Sequence, residues 1–96
     1  MQNFPWSANS SVRINIPNGY RGLMVTIAPN SSSGSANAFF IVSCNSSGII
    51  IFHEVYNSGG ITLTKETNVL TIANSHSVGA QARFLSFTES VPTLVS

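Results

Sequence analysis

Residues 46–60 read SSGIIIFHEVYNSGG, and the fold turns on how this stretch is understood. His53-Glu54 begins like H-E-x-x-H, the zinc-protease signature in which two histidines one helical turn apart reach one metal. The other reading is a β-strand that carries two polar residues. Asn57 stands where the second histidine would be needed, three isoleucines precede the pair, and Gly59-Gly60 closes the run. β-branched residues fit a pleated strand and a Gly-rich ending fits a turn, so both ligand set and scaffold are wrong for the zinc motif. As a strand, the run puts His53 on one face with Ile49, Ile51 and Val55. Glu54 falls on the other with Ile50, Phe52 and Tyr56.

The same grammar extends in both directions. In SVRINIP, Val12, Ile14 and Ile16 alternate with Arg13 and Asn15, the period-2 pattern of a half-buried strand. Pro17 and Asn18-Gly19 end it in a tight turn. RGLMVTIA, AFFIVSC, IIIFHEVY, ITLTK, VLTIAN and AQARFLSFTE follow as strands, separated by turns rich in Asn, Ser and Gly. VGAQARFLSF is the one passable helix candidate, without caps. Residues 1–9 read as a lead-in and 91–96 as a last strand or tail, so residues 1–96 form a single domain. The expected architecture is all-β, an antiparallel β-sandwich of jelly-roll type with about seven to eight short strands.

Composition narrows function. Charged residues make up 7% of the chain, against about 25% in ordinary globular proteins. There is no Asp, and Ser, Thr and Asn together fill 33 of the 96 positions. Four scattered cations and a net charge of +1 give no electrostatic footprint for nucleic acid. Glu54, Glu66 and Glu89 are meagre material for acid/base pairs or for a calcium site. No apolar run approaches the roughly 20 residues of a membrane span, so no membrane insertion is expected. A near-neutral surface favours association, which points to a homo-oligomer.

Candidate chemistry is sparse. Cys44 is the lone cysteine, excludes an internal disulfide, and in FFIVSCNS reads as a small buried hydrophobe whose thiol pKa would be raised. His53, His76 and Cys44 lack paired metal-ligand spacing, so no metal and no cofactor is expected. No G-x-S-x-G elbow occurs, and the chain reads as a non-enzyme with no catalytic residue. Trp6, Tyr20 and Tyr56 are the aromatic candidates for sugar contact, beside amides and hydroxyls, although each could instead pack a strand end. IIIFHEVY and AFFIVSC are apolar on both faces, whereas an outer sandwich strand should alternate. A partner subunit resolves this, with Ile50, Phe52, His53 and Glu54 at the seam.

The succession SVRINIPNGYRGLMVTI, a Ser/Gly-rich loop, IIIFHEVY, NVLTIANS and ARFLSF resembles the C-terminal β-domains of tail fibres and receptor-binding proteins of tailed bacteriophages and prophages, over about residues 10–90. The resemblance implies a trimeric β-sandwich at a fibre tip, exposed to the extracellular medium on the virion after synthesis in the bacterial cytoplasm. It implies attachment to a bacterial cell-surface polysaccharide or protein, and supplies no catalytic residues. No coiled-coil or collagen-like shaft stands before the domain, so an excised tip is expected, and the metal-stapled type of tip with H-x-H is not matched. Loop 30–38 and the turns 45–48, 57–60 and 74–79, with Asn74 and His76 in the last, would then face the host. Two other classes remain: a purely structural virion module, such as capsid decoration or baseplate, and a free-standing lectin-like adhesin.

Overall fold

The computed structural model describes residues 2–6, 10–27, 37–57, 60–75 and 80–95. Nine strands are formed by these residues: β1 (Gln2–Trp6), β2 (Ser10–Asn15), β3 (Arg21–Ile27), β4 (Ala38–Cys44), β5 (Ile50–Asn57), β6 (Ile61–Glu66), β7 (Val69–Asn74), β8 (Ala80–Ser86) and β9 (Thr93–Leu94). They build two antiparallel sheets, a five-stranded one in the order β1-β8-β3-β4-β5 and a four-stranded one in the order β6-β7-β2-β9. The pairings β1·β8, β2·β7 and β4·β5 nest as in a jelly roll. The meander contacts β3·β4 and β6·β7 depart from it.

The alternation read from the sequence is what the sheets bury. On β2, Ile14 is in the core while Arg13 and Asn15 face water; on β7, Leu70, Ile72 and Asn74 turn inward. From the five-stranded sheet, Met24, Phe40, Val42, Ile50, Ala82 and Phe84 complete one continuous cluster. Each fully buried Ile, Leu or Phe contributes about 1.5–3 kcal/mol, so this interleaved layer carries the sandwich. Phe84 meets the Tyr20 ring edge-on at 6.3 Å, and Phe40 meets Phe52 at 6.2 Å.

Three features differ from the sequence expectation. The lead-in contains a strand, β1, whose Pro5 is tolerated because β1 lies at the sheet edge. The helix candidate VGAQARFLSF contains strand β8, because Ala82 and Phe84 line the core at a period of two. Between β4 and β5 the register shifts at Phe39/Phe40, so that Phe40 opposes Glu54 and Phe39 opposes Tyr56. Val55 is thus the extra residue of a bulge, and Tyr56 moves to the face that carries His53.

The turns follow their residues. Tyr20 donates its N–H to the Pro17 carbonyl at 3.1 Å across Asn18-Gly19, and Gly19 takes φ 81° as a type II turn requires. Asn45 Oδ1 accepts the N–H groups of Ser47 (2.9 Å) and Ile49 (3.0 Å), fixing the β4–β5 turn. Among the described residues, no helix is long and apolar enough to cross a membrane.

Candidate functional site

The antiparallel order sorts the connections to two ends. β2, β4, β6 and β8 finish at one end; β1, β3, β5 and β7 finish at the other. The first end is cross-braced. Asn68, at φ 60°, sends its Nδ2 to the Ile16 carbonyl (2.9 Å) and to Asn18 Oδ1 (2.8 Å). Its N–H reaches Gly48 O at 2.9 Å, and Gly19 N–H reaches Cys44 O at 2.8 Å. Asn18 Nδ2 adds a bond of 3.2 Å to Ser46 O. These bonds tie turn 45–48 to both sheets, so that turn is separated from the other three segments expected to face a host.

The second end gathers what remains. Residue 37, turn residues 57 and 60, and residues 74–75 lie there, at the finish of β5 and β7 or the start of β4 and β6. Asn57 Nδ2 bonds Ile61 O at 2.8 Å and Glu54 Oε1 at 2.9 Å. Ser75 donates both its N–H (2.9 Å) and its hydroxyl (3.2 Å) to Gly60 O, which extends the β6–β7 pairing one residue beyond Ile61 and Asn74. Beside this clasp a shallow groove of about 370 Å³ is lined by Ser10, Ser11, Ala73, Asn74 and Ser75. Its wall is hydroxyl, amide and methyl, a neutral surface suited to hydrogen bonds with polyols.

The sequence-selected residues divide sharply. Tyr20 is 0% exposed, its hydroxyl 3.4 Å from Leu85 O, so it is a core residue at the braced end and not a ligand contact. It ends up there because the Gly19 turn folds its ring back between the sheets. Asn74 is 2% exposed and supports the groove from within. Tyr56 is 57% exposed. The Trp6 backbone pairs with Ala80 at the same end as Tyr56 and Asn74; its side chain, like His76 and loop residues 30–36, lies outside the described residues. Ser75 falls within turn 74–79, which was expected to face the host; sequence reasoning missed Ser10 and Ser11, which carry no signal beyond the abundance of serine.

The four residues assigned to a seam also separate. Ile50 is 1% exposed and belongs to this chain's own core. Phe52 packs inward against Phe40 with the Lys65 ammonium 6.0 Å from its ring centre. Glu54 is exposed on that same side, while His53, opposite Ile41, projects from the outer face. The motif-like pair therefore cannot converge on one metal, and Asn57 is the carboxylate's hydrogen-bond donor. Among the described residues no three of His, Cys, Asp or Glu form a group that could hold a metal ion. Cys44 is buried and reduced, and burial pushes its thiol pKa up.

No family model matches the chain, and no curated protein matches it. Among solved structures the chain is similar to the tailspike protein gp49 of Acinetobacter baumannii bacteriophage Fri1, a capsular polysaccharide depolymerase, with a TM-score of 0.62 and 16% identity. The match covers 98% of this chain and 18% of that one. The fold is thus one that occurs within a phage tailspike. This chain spans under a fifth of that protein's length.

Proposed function

We propose that this chain is a non-enzymatic head domain of a phage tail fibre or tailspike, which attaches the virion to a bacterial cell-surface glycan or protein. The observation that carries the reading is the match of nearly the whole chain to a small part of a tailspike. That relation is expected of a recognition module joined to other machinery. The loop end is the proposed contact surface, where the groove of Ser10, Ser11 and Ser75 on the four-stranded sheet offers hydroxyls and the exposed Tyr56 on the other sheet offers an aromatic face. Host surface polysaccharides present the complementary chemistry, and the working location is the virion tail, outside the cell.

The non-enzymatic part rests on where the carboxylates lie. Glycoside hydrolysis uses two acids flanking one bond. Glu54 is engaged by Asn57 near the finish of β5, whereas Glu66 ends β6 at the opposite end, and Glu89 follows β8. The test is to incubate the chain with capsular and O-antigen polysaccharides, following both binding and the release of new reducing ends. Binding without chain shortening is expected; shortening would overturn the reading. The purely structural virion module is favoured by one observation, the apolar outer face of the five-stranded sheet, and would show binding to virion protein with none to bacterial envelope.

A further inference from the structure

Asn18-Gly19 is the one Asn-Gly pair in the chain. Such a pair is chemically fragile. With no Cβ on the glycine, its backbone nitrogen can reach the carboxamide carbon of the preceding asparagine. The nitrogen attacks that carbon, and its proton departs with the carboxamide nitrogen as ammonia. Water then opens the five-membered imide to aspartate or isoaspartate. The reaction needs a glycine nitrogen free to lose its proton and an asparagine side chain free to swing toward it. It also needs a backbone free to close the ring.

The folded chain restrains all three. The Gly19 N–H is committed to the Cys44 carbonyl at 2.8 Å. The Asn18 carboxamide is held at both ends: Nδ2 donates to Ser46 O at 3.2 Å, and Oδ1 accepts from Asn68 Nδ2 at 2.8 Å. The backbone is closed by the Tyr20 N–H bond to Pro17 O at 3.1 Å, with Gly19 at φ 81°. Ser46 and Asn68 lie 28 and 50 residues away in sequence, so the carboxamide is clamped only once both sheets are assembled. Conversion would undo the brace. Either product replaces the Nδ2 donor with a carboxylate oxygen, which would meet the Ser46 carbonyl as acceptor against acceptor. Isoaspartate also inserts a methylene into the main chain at the turn that seats Tyr20, a side chain with 0% exposure.

We propose that Asn18 is a site of spontaneous deamidation which the braced end guards, and that an opening long enough for the ring to close disables that end irreversibly. The proposal is independent of receptor binding, and its test involves no receptor. Peptide mapping by mass spectrometry, with isoaspartate detected by enzymatic methylation, follows Asn18 in the folded chain and in urea at the same mildly alkaline pH. Folding is expected to slow conversion on the order of tenfold or more, because the reaction then waits on an opening equilibrium. Asn68→Gly suits the φ of 60° and removes the clamp on Asn18 Oδ1. With circular dichroism confirming its fold, this variant is expected to convert severalfold faster than the folded wild type and at the wild-type rate in urea. Amide hydrogen exchange on the unmodified wild type gives a reading that needs no substitution: the Gly19 N–H is expected to be protected. Equal conversion rates in the folded and unfolded wild type would overturn the proposal. So would a folded Asn68→Gly that converts no faster than the wild type, or a Gly19 amide that exchanges at the unprotected rate.

Discussion

Gly22 shows how closely the molecule is specified at the scale of single residues. A Cβ there would collide with the Leu85 carbonyl oxygen and the Tyr20 hydroxyl, one of them backbone that cannot step aside. Gly22→Ala is expected to lose at least about 2 kcal/mol of stability, read as a lower midpoint in urea denaturation. Tyr20 and Cys44 make a second case. Burial raises both above their ordinary values of 10.0 and 9.0. Below about pH 8 both are neutral whether the chain is folded or not, and they leave stability unchanged. Above it the unfolded chain releases protons that the folded chain retains, so stability falls. Denaturation midpoints at pH 6, 7.5 and 10.5 should show a plateau and then a decline, steeper than in Cys44→Ala. Cys44 was legible as a buried hydrophobe from its apolar neighbours. Tyr20 was not, because an aromatic after Asn-Gly looks exposed until the turn shows which way its ring is folded.

Elements were legible wherever one strand face is polar. β2 and β7 announce themselves by alternation, since each has water on one side and the core on the other. β1 does not: QNFPW has a proline and no period of its own, and it becomes a strand only by pairing along β8. β5 was recognised as a strand but its faces were misassigned beyond Glu54, because a bulge adds one residue without leaving a mark in composition. That slip moves Tyr56 onto the outer face. The free edge of β5 gives a prediction at this scale. Lys65→Ala should change stability by under about 1 kcal/mol, as surface substitutions do. It uncovers the Ile50 carbonyl, which Lys65 Nζ caps at 2.6 Å, so light scattering on prolonged incubation should show faster aggregation than the wild type.

At the scale of the whole molecule, two ends and one face divide the work. The end braced by Asn68, Asn18 and Asn45 is rigidly bonded, the opposite end carries the serine groove, and the outer sheet face carries the apolar surface. The doubly apolar character of AFFIVSC and IIIFHEVY made that surface legible in the sequence; its basic character required knowing which residues share it. His53 lies in it opposite Ile41, between the rows of Arg21 and Arg83 and next to Ile51 and Leu23. The central claim, attachment through the loop end, is tested most directly by measuring binding of the labelled chain to an array of bacterial capsular and O-antigen polysaccharides. The account predicts binding to a narrow set of glycans, lost when Ser11 and Ser75 become Arg and retained when Ser46 and Ser47 at the braced end do. Failure to bind any glycan or intact bacterial surface, or equal loss from changes at both ends, would contradict it.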